Sequence, residues 1–101
     1  MQQSTKANHK VLILCKSNKV VPGLLQVQPG DDVTFKALNG DVKIWFPVKD
    51  LFGVDSLELK KKVPQPLTVQ QVNSDEYPYS AYCVTTGTFA EGGSSPIIII
   101  E

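Results

Sequence analysis

The chain has one histidine, His9, one methionine, Met1, and two cysteines, Cys15 and Cys83, in 101 residues. So few imidazoles and thiols exclude the usual nucleophile–base pairs, because no Ser or Cys finds a histidine outside the N-terminal segment. Two cysteines do not make a disulfide framework. They read as two buried thiols, with a single Cys15–Cys83 bridge as the alternative. Charge of either sign is not in excess: ten Lys+Arg offset ten Asp+Glu. A nucleic-acid binder needs surplus cations to displace counterions from phosphates, so no nucleic-acid partner is expected. The one basic run, Lys60-Lys61-Lys62, reads as a solvated strand end or loop.

Long hydrophobic runs are also missing. The longest, residues 11–15 and 97–100, fall far short of the ~20 residues that span a bilayer, so no membrane partner is expected. The first of these is too short for a signal-peptide core and has no small-residue cleavage site behind it. The sequence as it stands is therefore expected in the cytoplasm, or in the periplasm or exterior if a leader has been removed. No window of helical length has a sustained apolar face. No glycine loop cradles a phosphate either, since Glu91-Gly92-Gly93-Ser94-Ser95 precedes a strand and not a helix.

What is present is the periodicity of strands. Short Val/Ile/Leu/Thr/Phe-rich segments recur about every ten residues between Gly, Pro, Asn and Asp, the pattern of an all-β sandwich. The expected segments are 11–16, 24–28, 32–37, 42–46, 56–60, 67–72, 79–84 and 96–101, with one short helical turn near 49–52. Pro29-Gly30-Asp31-Asp32 is a turn, because Pro presets φ and Gly allows φ > 0. Asn39-Gly40-Asp41 is a tight connection. Pro64 and Pro66, which cannot donate to a central ladder, bracket a loop. Residues 1–9 form a flexible tail and 10–101 one domain.

Alternation assigns faces: Val33 and Phe35 oppose Thr34 and Lys36, and Tyr79, Ala81 and Cys83 share one side. Three segments, 11–14, 44–46 and 97–100, are apolar on both faces. A sandwich strand has one inward face, so with Ile97 and Ile99 inward, Ile98 and Ile100 need a cover. The candidates are the loop 47–66 with Leu51 and Phe52, or a second subunit, so self-association through the strand 97–100 is one expected partner interaction.

Two stretches carry a resemblance. Val27-Gln28-Pro29-Gly30-Asp31-Asp32-Val33-Thr34-Phe35-Lys36 is similar to the Pro-Gly-Asp turn and Val-Thr-Phe strand of cupredoxins, the family of plastocyanin and azurin. Tyr79-Ser80-Ala81-Tyr82-Cys83, ahead of the loop Val84-Thr85-Thr86-Gly87-Thr88-Phe89-Ala90-Glu91 and the strand Pro96-Ile97-Ile98-Ile99-Ile100-Glu101, resembles that family's copper-loop region. Ala81 stands where the family has an aromatic. The resemblance covers residues 10–101 and implies a Greek-key sandwich of about eight strands.

It also implies where copper ligands would sit, and the sequence departs from it there. A blue-copper centre takes two imidazoles and a thiolate, with a long axial Met. The family's first His would fall in Leu38-Asn39-Gly40-Asp41-Val42, its second at Val84, Thr85 or Thr86, its Met near Ala90 or Glu91. None of these is His or Met. The expectation is a copper-free, cofactor-free cupredoxin-like binding or structural module without catalytic activity. Its working surface would be the end bearing residues 38–42 and 84–95. The alternative is a metal-handling or electron-transfer protein using Cys83 with ligands from a partner chain, or with Cys15. Cys83 is thus the candidate loop thiol, against its reading as a small buried hydrophobe. His9 reads as solvated, Asp31, Asp32 and Asp41 as caps of their own turns rather than a cation site, and Trp45 as core.

Overall fold

The computed structural model describes residues 7–70, 72–90 and 95–100. The segments 1–6 and 91–94, with residues 71 and 101, lie outside the described residues, and with them most of the expected tail and the Glu91–Ser94 part of the Gly-Ser loop. Eleven strands follow one another: β1 (Asn8–Leu14), β2 (Lys19–Val21), β3 (Leu24–Val27), β4 (Asp32–Ala37), β5 (Val42–Trp45), β6 (Ser56–Leu59), β7 (Gln65–Thr68), β8 (Asp75–Pro78), β9 (Ser80–Cys83), β10 (Thr88–Phe89) and β11 (Ile97–Ile100). One 3-10 turn, Lys49–Leu51, interrupts them between β5 and β6. The all-β sandwich is as the strand periodicity predicts.

One sheet has the order β2-β1-β4-β7; the other layer consists of β10-β9-β5-β6 and, toward the far end, β3-β11-β8. β8 and β9 are one chain bent at Tyr79, pairing first with β11 and then with β5. The parallel pairs β1–β4 and β3–β11 join strands distant in sequence, as Greek-key connections do. Period-2 alternation builds the core between the layers. Val11, Ile13, Val33, Phe35 and Ala37 come from one side, and Val42, Ile44, Leu59, Ala81 and Ile98 from the other, all almost completely buried. Phe35 sits at the centre, its ring 5.8 Å from Phe46, 5.8 Å from Phe52 and 6.0 Å from Tyr79. These tilted and edge-on contacts suit the ring quadrupoles.

Several expectations are corrected here. The tail ends sooner than residue 9, because Asn8 and His9 already pair with Asp32 and Val33 in β1. The phase of the last strand is reversed: Ile98 and Ile100 are buried, while Ile97 and Ile99 are half-covered on the outer face. Leu51 and Phe52 do not cover that strand from outside but belong to the core. The need for a second subunit therefore rests on Ile97 and Ile99 alone. Pro66 lies within a strand, opposite Thr34. It is tolerated because β7 is a sheet edge, where a missing N–H costs no ladder bond. Trp45 is not core: β5 sends Val42 and Ile44 inward, so Lys43 and Trp45 project outward, Trp45 41% exposed. Tyr79, Ala81 and Cys83 do share the buried face.

Candidate functional site

β1, β4, β6 and β9 all run toward the same end of the sandwich, where the turns following Leu14, Ala37, Leu59 and Cys83 converge. Backbone hydrogen bonds lock these turns to one another. The Leu38 N–H donates to the Ile13 carbonyl (3.1 Å), the Lys62 N–H to Ala37 (2.7 Å) and the Val84 N–H to Asp41 (3.0 Å). Side chains add to this: Asn39 Oδ1 accepts from the Lys16 N–H at 3.3 Å, and Asp41 Oδ1 from the Lys61 N–H at 2.9 Å. Thr88 Oγ1 donates to Asn18 Oδ1 at 2.9 Å.

Beneath these turns, Cys83 is joined to Cys15 in a disulfide, with Cα atoms 5.7 Å apart. Both residues are buried, and no described cysteine is free. The candidate loop thiol at Cys83 is thus corrected: its sulfur is spent on Cys15. The physical reason is register. β1 delivers Cys15 just beyond Leu14, and β9 delivers Cys83 opposite Val42, so the two meet across the sandwich interior.

Above the bridge, the turns 38–41 and 84–87 are in direct contact. A Cβ added to Gly40 would stand 2.5 Å from Thr85 Oγ1 and 3.1 Å from its Cβ, so the Thr85 side chain already fills the space between the two turns. His9 is far away. Six residues of extended strand separate it from Cys15, about 20 Å, and its Nε2 lies 3.0 Å from Asp31 Oδ2. His9 is therefore half-buried and bonded rather than a solvated tail residue.

Asp31 ends the Pro-Gly turn by accepting from the N–H groups of Gln28 (3.0 Å) and Ala7 (3.1 Å). Burial by itself pushes its carboxyl up. The hydrogen bonds from His9, Ala7 and Gln28, with the His9 charge, outweigh that and hold it below its usual value. Asp41 likewise caps the turn at Lys61, and Asp32 accepts from the Thr68 hydroxyl at 2.8 Å. No three His, Cys, Asp or Glu among the described residues cluster as a metal site.

The same end carries a feature that sequence reasoning passed over. Lys16, Leu38, Asn39, Lys61, Lys62 and Thr86 line an open concavity of about 400 Å³. A second one, about 370 Å³, lies on the outer face of β1 and β4 between Lys10, Leu12, Thr34, Lys36 and Pro64. The Lys60-Lys61-Lys62 run does mark a strand end, as expected. The meeting of Lys61 and Lys62 with Lys16 around one hollow has no signal in sequence. On the outer face of the other layer, exposed Trp45 and Phe89 and half-buried Tyr82 form an aromatic row, with centroids 6.4 and 5.0 Å apart and Lys43 Nζ 5.2 Å over the indole.

No protein-family model matches the chain, and no curated protein matches it in sequence. Solved structures do match in fold. A mutant of amicyanin in the Cu(I) state superposes with a TM-score of 0.61 at 21% identity, covering 93% of this chain and 82% of that one. A purple cupredoxin from Nitrosopumilus maritimus gives 0.61 at 14% identity, covering 92% and 99%. Dithionite-reduced auracyanin from the photosynthetic bacterium Roseiflexus castenholzii gives 0.63 at 11% identity, covering 98% and 99%. The chain is a β-sandwich of cupredoxin fold.

The copper that such a fold implies does not fit the residues found here. The one cysteine at the relevant strand end is bonded to another sulfur, and the one imidazole lies at the opposite end. The two turns that would flank a metal are closed on each other by Thr85. Among the described residues nothing supplies the two imidazoles and thiolate of a blue-copper set.

Proposed function

We propose that this chain is a copper-free, non-catalytic binding module of cupredoxin fold, working through the end that carries turns 38–41 and 84–87. The observation that carries the reading is the Cys15–Cys83 disulfide, which removes the thiolate on which copper chemistry in this fold depends. The turns held over the bridge are short and mutually bonded, with Asn39 and residues 84–87 exposed, a rigid platform suited to recognition. A structural disulfide persists in an oxidising environment, so the module works in the periplasm or outside the cell rather than in the cytosol.

Cupric ion added to the oxidised protein tests the reading. The expected result is no intense thiolate-to-copper visible band, before or after reduction of the disulfide. A strong band that disappears in Cys83→Ser would restore metal handling or electron transfer through Cys83.

A further inference from the structure

We infer that the basic end of this sandwich docks an acidic, extended segment of a partner protein. This deepens the binding-module reading above and rests on it. The chain is neutral overall, yet its charge is segregated along the strands. Among the described residues, the turns and strand ends over the disulfide carry Lys16, Lys19, Lys60, Lys61 and Lys62 against one carboxylate, Asp41. At the opposite end, the described turns and strand ends carry Asp31, Asp32, Asp50, Asp55 and Asp75 against Lys49 and His9.

Only Lys60 of the basic set has a carboxylate neighbour among the described residues, Asp41 at 3.8 Å. Lys16, Lys61 and Lys62 surround the 400 Å³ concavity with no such neighbour among them, beside the Thr86 hydroxyl and the half-buried Leu38. Pro64, two residues beyond Lys62, rims the second concavity, where Lys36 and Lys10 stand. The two hollows thus follow one another from the end of the sandwich onto the β1–β4 face, a path for several successive residues of a strand-like peptide at roughly 3.3 Å each.

Carboxylates on a polypeptide suit this path better than phosphates. The cations are lysines throughout, and the chain has no arginine to grip a phosphate bidentately. A long polyanion would also meet the acidic far end. Leu12, Leu38 and Pro64 between the lysines offer apolar contact that acidic peptides with interspersed aliphatic residues can use.

The test uses a hexaglutamate peptide, followed by amide NMR shifts and calorimetry at low and physiological salt. The expected result is saturable shifts confined to residues around Lys16, Asn39, Lys61, Thr86, Lys10 and Lys36, weakening steeply with salt. Replacing Lys16, Lys61 and Lys62 together by Gln should weaken binding about tenfold or more, while Lys49→Gln at the far end changes it less than twofold. No saturable binding would overturn the inference, as would shifts elsewhere or equal affinity for anionic vesicles or single-stranded DNA. The copper-free reading is judged separately by the copper titration, so either can fail without the other.

Discussion

Reducing the Cys15–Cys83 bridge should cost this protein a large share of its stability. The link closes a loop spanning 68 residues of sequence, two thirds of the chain. In the chain-entropy picture a cross-link of that span raises the free energy of the unfolded ensemble by about 4 kcal/mol at 25 °C. Single domains are stable by only about 5–15 kcal/mol in all. With a urea slope of about 2 kcal/mol/M, the midpoint should fall by about 2 M in dithiothreitol, the reduced protein remaining folded at neutral pH. A Cys15→Ala/Cys83→Ala variant should unfold near the reduced wild type, slightly lower because two buried sulfurs are also lost. Thiol titration of the unfolded, unreduced protein should find no free cysteine. Superimposable urea curves with and without reductant, or two titratable thiols, would refute the bridge and reopen Cys83 as a ligand.

Gly40→Ala should destabilise by about 1–3 kcal/mol, because its Cβ meets Thr85 Oγ1 at 2.5 Å, and Thr85→Ala in the same chain should recover part of that loss, as a double-mutant cycle of thermal melts would record. Asp31 has a carboxyl held below its ordinary 3.8, so the stability it contributes is present above that value and is lost as pH falls through its lower folded value. Asp31→Asn should therefore cost about 1–3 kcal/mol at pH 7 and progressively less below pH 3.8 in urea titrations. Sedimentation at high concentration should show a monomer, since Ile98 and Ile100 are already covered and only Ile97 and Ile99 are left half-exposed; a stable dimer broken by Ile99→Lys would reverse this.

The parts of the fold that sequence made legible are those where polarity alternates and a turn residue sets the phase. β4 is the clear case: Pro29 and Gly30 start it, Gly30 takes φ 94°, and Val33, Phe35 and Ala37 all fall inward. Where a run is apolar on both sides, alternation gives no phase. The pairing of β11 with Tyr77 and Pro78 of β8 settles that Ile98 and Ile100 are core, and the pairing of β5 with β9 turns Trp45 out. β2 and β10, with three and two residues, are too short for any period to register. Pro66 misled because a propensity rule for central strands was applied to what proves to be an edge. The bridge and the lysine groove share one cause of illegibility: both depend on which turns meet at one end of the sandwich, a property of strand order and not of any local motif.

On the copper-free reading proposed above, strand order also explains how the fold holds its shape without a metal. A metal held between the turn after β4 and the turn after β9 would tie two otherwise independent loops together, and its binding energy would count toward folding. Here the same β9 cysteine forms a covalent link to the end of β1, and the β4 and β9 turns are fastened by Val84 to Asp41 and by Thr85 against Gly40. The tie joins the strand ends covalently and needs no imidazoles from the turns. Positions 38–42 and 84–86 are thereby released from any requirement for His, and with Lys16, Lys61 and Lys62 around them the end of the sandwich becomes a charged platform. On this account the disulfide and the basic surface are one design. The bridge helps hold the turns at fixed spacing, and that spacing sets Lys16, Lys61 and Lys62 around one hollow instead of leaving them as independently moving charges.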